Sequence, residues 1–306
     1  MSLRVIFLGT SGAIPTVERS LPATLIQRGR EMLMFDCGEG VQRQMVKAKV
    51  GFHKRMKIFL SHLHGDHVLG LPGLLQTMAL MDRRVKLEIY GPEGTRAFLE
   101  CVRESLQFGL TFPVEIREIL GAGQVCNETE YAVEAAKSNH VVKSFAYAFV
   151  EKPRPGKFYP EKARALGIPE GELWSKLQHA ETVTLADGRI ANPEAVTGDP
   201  RRGRKIVYSG DTRPFRGFAR FAAGADLLVH DSTFDDALSD KAEEDGHSTP
   251  GQAAHLAKAS KVEKLVLTHI SARYTDSSLL LEQARAIFAE TVVANDFLVL
   301  ELPLSE

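Results

Sequence analysis

Apolar and polar positions along the chain follow two alternating patterns. Short apolar runs that end in polar or glycine-rich turns predict buried strands, and we expect these at residues 3–8, 24–27, 31–35, 58–60, 85–90, 114–120, 131–137, 144–150, 205–208, 227–230, 265–268 and 297–302. Apolar positions at helical spacing predict helices at residues 41–49, 72–81, 95–108 and 279–289, with another that begins after residue 249. Strands that alternate with helices in this way indicate an α/β fold.

The pattern weakens from residue 153 to about residue 204. Residues 151–160 contain three prolines. A proline cannot donate a hydrogen bond to a neighbouring strand, so this segment is not a central strand. We interpret the whole stretch as an insertion that protrudes from a single domain spanning residues 1–306.

Composition narrows the possible functions. The chain has 306 residues, 44% of them hydrophobic, which is enough for a large core. Its formal net charge of −1 excludes binding of nucleic acid through overall positive charge, so a polyanion would have to be bound by a local patch. Three widely spaced cysteines argue against a disulfide framework and favour a reducing cytosol. Because the N-terminal apolar run is short and no apolar window is long enough for a membrane span, we expect a cytoplasmic protein without a membrane segment.

The segment SHLHGDHVLG at residues 61–70 contains the residue types of a metal site. It follows an apolar run, and His62 and His64 can point the same way because residues two apart in an extended chain do so. The glycine that comes next permits a turn that would direct Asp66 and His67 toward a second ion. Imidazole and carboxylate groups together are typical ligands of a catalytic Zn²⁺ or Mn²⁺ site.

Three other apolar strands also end near a potential ligand, which adds His140, Asp211 and His269 to the cluster. Polar groups at strand ends collect at one edge of an α/β sheet. The natural division places His62, His64 and His140 on one ion and Asp66, His67 and His269 on the other, with Asp211 as a bridge. Two ions roughly 3.5–4 Å apart would activate a water molecule and neutralise charge on an attacked phosphate or carbonyl group.

These residues and several further motifs resemble the ribonuclease Z family of the metallo-β-lactamase superfamily. The superfamily signature HxHxDH matches residues 62–67, and the family resemblance rests on FLGTSGAIPT near the start, FDCGEG at 35–40, YSGDTRP, GHST at 246–249 and HISARY at 269–274. The resemblance implies an αβ/βα sandwich that holds two zinc ions per subunit between the sheet edges. The implied activity is that of an endoribonuclease that removes the 3′ trailer of precursor tRNA and leaves a 3′-hydroxyl on the tRNA.

The resemblance also implies a role for the insertion. In this family it is a flexible arm that grips the elbow of the tRNA, and the enzyme is usually a homodimer. Here the arm would cover about residues 151–177. Five basic residues near its start outnumber the acidic ones and are candidate contacts to RNA phosphates: Lys152, Arg154, Lys157, Lys162 and Arg164.

Phosphodiester hydrolysis also requires groups that transfer protons and hold the phosphate. Asp66 is the candidate base, because it can accept a hydrogen bond from the attacking water while it binds a metal. His247, within the GHST motif, is the candidate general acid, and its protonation requires a carboxylate partner, which we expect among residues 243–245. Arg273 is a candidate for holding the scissile phosphate through charge-assisted hydrogen bonds.

Two other functions fit parts of the pattern. The first is a hydrolase of the same superfamily that acts on a small ester, thioester or phosphodiester. The second is a non-catalytic module that binds RNA. A basic, proline-rich insertion has no evident use on a small substrate, and a complete ligand set together with His247 argues against a non-catalytic module.

Overall fold

The computed structural model describes residues 2–304, apart from the side chain of residue 216. Its strands are β1 (Leu3–Gly9), β2 (Ser11–Gly12), β3 (Ala23–Arg28), β4 (Glu31–Phe35), β5 (Arg55–Phe59), β6 (Leu87–Pro92), β7 (Val114–Ile119), β8 (Gly123–Asn127), β9 (Tyr131–Lys137), β10 (Phe145–Glu151), β11 (Val183–Thr184), β12 (Ile190–Ala191), β13 (Lys205–Tyr208), β14 (Leu227–Asp231), β15 (Leu265–Thr268), β16 (Ile270–Ser271), β17 (Thr291–Val293) and β18 (Val299–Leu302). Its helices are α1 (Val41–Lys47), α2 (Gly65–Val68), α3 (Gly70–Leu80), α4 (Thr95–Leu106), α5 (Pro160–Ala165), α6 (Glu172–Gln178), α7 (Arg216–Phe221), α8 (Ser239–Asp245), α9 (Pro250–Ser260) and α10 (Ser278–Arg285).

The longer strands form two mixed sheets of seven strands each. The first has the order β18–β1–β3–β4–β5–β6–β7, and the second has the order β17–β15–β14–β13–β10–β9–β8. Strands β4 to β7 pair in parallel, as do β13, β14, β15 and β17. Because parallel neighbours end at the same edge of a sheet, the residues that follow β5, β13 and β15 are placed where ligands collect in α/β folds.

The core residues of the two sheets divide into three layers. Side chains from both sheets, including Phe7, Phe59, Tyr147 and Val229, fill the space between them. Helices α1 and α3 pack on the outer face of the first sheet, and α7, α9 and α10 pack on the outer face of the second. This order of helix, sheet, sheet and helix confirms the αβ/βα sandwich that the sequence resemblance implied.

Most predicted strands and helices are confirmed, and the differences have local causes. Strand β5 begins at Arg55, three residues before the apolar run that predicted it. The strand looked shorter in the sequence because a lysine, which is buried in the structure, interrupts its apolar pattern. The ammonium group of this residue, Lys57, is 2.7 Å from Glu31 and 3.0 Å from Glu128. Strands β8 and β17 and helices α7 and α8 were not predicted, since they are short and lie in polar or irregular stretches of the sequence.

Two compact units make up the chain. The sheets and their covering helices form the first, up to Val150 and again over Lys205–Pro303, and Glu151–Arg204 forms the second. The second unit has its own apolar core, built from Ala163, Ile168, Leu177, Val183, Leu185, Ala191 and Val196. The indole of Trp174 packs against this core and donates a hydrogen bond of 3.0 Å to the carbonyl of Ile168.

The two ends of the second unit run antiparallel. Arg154 and Arg201 exchange backbone hydrogen bonds of 2.8 and 2.9 Å, and Phe158 forms a further bridge with Thr197. The expected arm, at about residues 151–177, contains α5 and most of α6 but not β11, β12 or the returning end. The sequence did not indicate those elements, because two-residue strands have no measurable periodicity.

No helix in the described part of the chain could cross a membrane. The longest of them, α4, has 12 residues, whereas a helix needs about 20 apolar residues to span a bilayer.

Candidate metal centre and active site

The first group of candidate ligands consists of three histidines from the two sheets. His62 and His64 follow β5, and His140 follows β9. The Nδ1 atom of His64 lies 2.9 Å from Nε2 of His62 and 3.3 Å from Nε2 of His140. In a tetrahedral zinc site, where each nitrogen is about 2.0–2.1 Å from the ion, neighbouring ligand atoms lie about 3.3 Å apart. The three nitrogens therefore fit around one ion.

The second group consists of Asp66 and His67, in α2, and His269, which follows β15. The Oδ2 atom of Asp66 is 3.3 Å from Nε2 of His67 and 3.4 Å from Nε2 of His269, and the two nitrogens are 3.3 Å apart. The backbone at Gly12 and Ala13 lies against this group. The amide of Ala13 donates a hydrogen bond of 2.9 Å to Oδ2 of Asp66.

A single carboxylate oxygen reaches both groups. The Oδ2 atom of Asp211, which follows β13, lies 3.7 Å from Nε2 of His62, 3.2 Å from Nε2 of His67 and 3.3 Å from Nε2 of His269. The structure brings all seven candidate ligands together: His62, His64 and His140 form one cluster, Asp66, His67 and His269 form another, and Asp211 clusters with His62 and His67. Their donor atoms and spacings fit two neighbouring divalent ions with Asp211 between them.

Four of the ligand histidines are also hydrogen-bonded at Nδ1, the ring nitrogen that faces away from the other ligands. The partners are the hydroxyl of Ser61 for His62 at 2.9 Å, Oδ2 of Asp36 for His67 at 2.7 Å, the carbonyl of Gly246 for His140 at 2.8 Å, and the hydroxyl of Thr233 for His269 at 2.8 Å. Such partners fix the orientation and the tautomer of a ligand histidine. No motif in the sequence indicated these partners.

The carboxylate of Asp36 accepts several hydrogen bonds beside the candidate metal centre. Besides His67, its carboxylate accepts hydrogen bonds from the amide and the hydroxyl of Ser61 at 2.7 and 2.8 Å, and from the hydroxyl of Tyr208 at 2.6 Å. Its φ of 59° is uncommon for a residue other than glycine, and such strain is retained where the surroundings enforce it. Because Asp36 directly follows the apolar strand β4, the signal that indicated the ligands could have identified it too.

Burial and neighbouring charges set the protonation of the site. Burial lowers the pKa of His62, His64 and His140, because a buried imidazolium loses its hydration. Burial alone would raise the pKa of Asp66. Hydrogen bonds from His269 and His67 outweigh this effect and hold the pKa of that carboxyl below its ordinary value. Burial therefore favours neutral imidazoles in the first group, and Asp66 is ionised; these are the forms that bind metal ions. Burial also acts to lower the pKa of His67, but the charges of Asp211 and Asp36 raise it well above its ordinary value.

His247 has a different carboxylate partner from those that the sequence suggested. Its Nδ1 atom lies 2.9 Å from Oδ2 of Asp231, the last residue of β14. Burial alone would lower the pKa of His247, but the charge of Asp231 and the hydrogen bond to it raise this pKa to about 9. The expectation of a partner among residues 243–245 is wrong. The carboxylate of Asp245, for example, pairs with Lys241 at 2.8 Å.

The ring of Phe234 lies between Arg273 and His247 in a chain of contacts. Its guanidinium group lies over the ring of Phe234 at 4.9 Å, and the centroid of that ring is 6.0 Å from the centroid of the His247 ring. The Nε atom of Arg273 donates a hydrogen bond of 3.2 Å to the hydroxyl of Ser271. The side chain is exposed, so a bound phosphate can reach its remaining donors.

The five basic residues considered for RNA binding belong to the second unit, and two of them are held by neighbours there. Arg164 is 2.7 Å from Glu170 and lies over the ring of Trp174 at 5.4 Å. The ammonium of Lys162 lies 4.5 Å from the centre of the Tyr159 ring. Of the other three, Lys152 and Lys157 are exposed, and Arg154 is half-buried at the bridge between the two ends of the unit.

Comparison with known proteins first gives the class. Residues 175–270 match the family described as the beta-lactamase superfamily domain, and residues 3–150 match the family described as anti-Pycsar protein Apyc1. Two stacked sheets with histidine and aspartate ligands at their strand ends, together with the first of these matches, define a hydrolase with the metallo-β-lactamase fold.

Individual relatives then give the family. Ribonuclease Z of Methanosarcina acetivorans is 48% identical over 302 residues, which is 98% of each chain. Ribonuclease Z of Archaeoglobus fulgidus is 45% identical over 313 aligned positions that cover 100% of both chains. The crystal structure of the short form of human tRNase Z matches with a TM-score of 0.74 at 30% identity, over 98% of this chain and 100% of that one. The chain therefore belongs to the ribonuclease Z family.

Proposed function

We propose that this chain is an endoribonuclease that hydrolyses the phosphodiester between a precursor tRNA and its 3′ trailer and leaves a 3′-hydroxyl on the tRNA. One observation carries the chemistry: two groups of three ligands lie within reach of one oxygen of Asp211. Paired divalent ions suit the in-line displacement of a phosphate ester, because they stabilise both the attacking and the leaving oxygen. Membership of the ribonuclease Z family supports tRNA as the substrate.

We also propose that each chain holds two Zn²⁺ ions, with Mn²⁺ as the alternative. Five imidazoles among seven ligands form a nitrogen-rich set, which is typical of zinc. Bound there, the ions would supply an activated water and neutralise the charge that develops on the phosphate.

Two side chains serve as hydrogen-bond acceptor and proton donor in the proposed reaction. Asp66 stays ionised and can accept a hydrogen bond from the attacking water, which orients that water toward the phosphorus atom. His247 is held in its protonated form by Asp231, and it donates a proton to the 3′-oxygen as that oxygen leaves.

Arg273 is proposed to hold the scissile phosphate. Its guanidinium is anchored over Phe234 at 4.9 Å, which limits the motion of a long side chain, while its exposed donors can bond two oxygens of one phosphate. This contact would position the substrate without taking part in proton transfer.

We further propose that the second unit is the arm that binds tRNA, as an insertion within one hydrolase domain. Lys152 and Lys157 are exposed, whereas Arg164 is paired with Glu170 at 2.7 Å. Contacts of this kind to phosphates are independent of sequence and sensitive to salt. A homodimer and a cytoplasmic location remain predictions from the sequence.

The direct test is incubation of the metal-loaded protein with a 3′-extended tRNA transcript, followed by mapping of the cut. We expect one cut at the 3′ side of the tRNA with a 3′-hydroxyl on the tRNA fragment. Asp66→Ala should abolish cleavage and leave tRNA affinity within a few fold. Glu104→Ala, which changes an exposed carboxylate on α4, is the control and should keep full activity. Full activity of Asp66→Ala, or hydrolysis of a small ester without tRNA cleavage, would contradict the proposal.

A further inference from the structure

We propose that Arg213 is a positioning residue that orients His140 and His247 by holding the C-terminal end of α8. It lies two positions after Asp211, and neither the candidate ligand set nor the proton-transfer pair includes it. The inference rests on the proposed metal centre, but it does not depend on the identity of the RNA.

The guanidinium of Arg213 binds the last turn of a short helix. Its Nε donates a hydrogen bond to the carbonyl of Glu243 and its Nη2 donates to the carbonyl of Glu244 at 3.1 Å. Helix α8 has seven residues, so most of its carbonyls lack a partner within the helix. A cation at this end satisfies two of them and also interacts favourably with the helix dipole. The side chain is only 17% exposed, so solvent weakens these contacts little.

The end of α8 in turn determines where the two histidines lie. Gly246 ends the helix with a φ of 89°, and its carbonyl accepts the hydrogen bond of 2.8 Å from Nδ1 of His140. The amide of the next residue, His247, donates a hydrogen bond of 2.8 Å to the carbonyl of Ala242 within α8. A shift of the last turn of α8 would therefore move the partner of His140 and the ring of His247 together.

The backbone of Arg213 is also hydrogen-bonded to the segment that carries His140. Its amide donates a hydrogen bond of 2.8 Å to the carbonyl of Asn139, which directly precedes His140. The amide of Asn139 donates to the hydroxyl of Thr212 at 3.1 Å, and the hydroxyl of Ser248 donates to the carbonyl of Thr212 at 2.6 Å. These bonds join the segments that carry Asp211, His140 and His247, so the segment from which the Arg213 side chain reaches α8 is itself connected to the candidate centre.

The test compares Arg213→Gln with Arg220→Gln, which changes an exposed arginine on α7 and serves as the matched control. In metal-loaded Arg213→Gln, kcat on 3′-extended tRNA should fall about 10–100-fold, in line with the loss of partners that orient ligands, while KM stays within about twofold. Competition with a chromogenic chelator should show that one of the two ions is removed about tenfold more easily, because only the group with His140 is disturbed. Arg213→Lys should restore part of both losses, since an ammonium can still donate to the carbonyls of α8. Arg220→Gln should match the wild type.

Other results would overturn the inference. If Arg213→Gln lowers only the melting temperature, with kcat per folded molecule and chelator release unchanged, the residue is merely structural. If Arg213→Gln does not fold, Arg213→Lys decides: values equal to those of the wild type contradict the proposal, and intermediate values support it. A wild-type protein that holds two ions but does not cleave tRNA would contradict the proposed function alone, because the chelator measurement needs no RNA.

Discussion

At the scale of single residues, the candidate centre depends on atoms that bind no metal. Asp36 and Thr233 hold the outer ring nitrogens of His67 and His269 at 2.7 and 2.8 Å. Asp231 does the same for the candidate general acid, His247, at 2.9 Å. Each contact fixes a ring that must point at an ion or at a leaving group, so substitutions at these positions should affect catalysis without removing a ligand.

The first prediction concerns Asp231→Asn, which keeps the shape of the side chain and removes its charge. Because the carboxylate raises the pKa of His247 to about 9, the imidazolium is populated below that pH and is lost as the pH rises through it. Without the charge, burial lowers this pKa. The alkaline limb of the kcat profile should therefore move to lower pH in the variant. A limb that stays in place, measured with a 3′-extended tRNA across neutral and alkaline pH, would show that another group supplies the proton.

A second prediction concerns the close approach of the backbone to His269. A Cβ atom at Gly12 would lie 2.6 Å from Nδ1 of His269 and 2.9 Å from its carbonyl oxygen. Gly12→Ala should therefore displace this ligand, lower the free energy of unfolding by about 1–3 kcal/mol and weaken the binding of one ion. Gly51→Ala is the control, since a Cβ there meets nothing within 4 Å. Metal titration and urea unfolding would check both variants, and equal behaviour of the two would refute the steric argument.

At the scale of elements, the strand that delivers His62 and His64 is held by a buried charge. Lys57, in the middle of β5, is 0% exposed and pairs with Glu31 on β4 and with Glu128 after β8. It thereby connects residues of both sheets. The same lysine interrupted the apolar pattern and made β5 look shorter in the sequence than it is in the structure.

The third prediction follows from this pairing. Lys57→Met should lower the free energy of unfolding by about 3 kcal/mol or more, because it takes the buried cation away from two partly buried carboxylates, which then share only the more exposed Arg55 among the ion pairs of the described residues. Arg55→Met is the matched control on the same strand: it loses pairs with the same two carboxylates, Glu31 at 3.3 Å and Glu128 at 2.9 Å, but its side chain is 53% exposed, so we expect a loss below about 1 kcal/mol. Urea unfolding measures both. A similar loss in the two variants would mean that burial does not decide the value of these pairs.

At the scale of the whole molecule, the candidate chemistry and the candidate RNA contacts belong to different compact units. The seven candidate ligands all lie in the unit of the two sheets, and the five basic residues all lie in Glu151–Arg204. Each unit has an apolar core of its own. The second unit should therefore be separable from the chemistry.

The fourth prediction tests that separation by removing residues 155–200. Arg154 and Arg201 exchange both backbone hydrogen bonds, at 2.8 and 2.9 Å, so an Asn-Gly turn can join them directly. The shortened protein should hydrolyse bis(p-nitrophenyl) phosphate within about twofold of the wild-type rate. Its KM for tRNA should rise about tenfold or more and depend less on salt, because phosphate contacts are lost. Loss of both activities in a folded protein would mean that the second unit also supports the metal centre.

The sequence alone indicated the fold class, which the structure confirms, and seven candidate ligands divided between two ions, which stay a prediction. Those features are local, because an apolar strand that runs into histidine or aspartate is visible without coordinates. The groups that hold the candidate ligands in place are visible only in the three-dimensional structure. The pairs Asp36–His67 and His140–Gly246 join positions 31 and 106 residues apart, and they depend on which strands and loops come together within each sheet. Arg213 binds carbonyls 30 and 31 residues away, and Asp231 binds His247 16 residues away, so these contacts follow from packing and leave no periodic signal in the sequence.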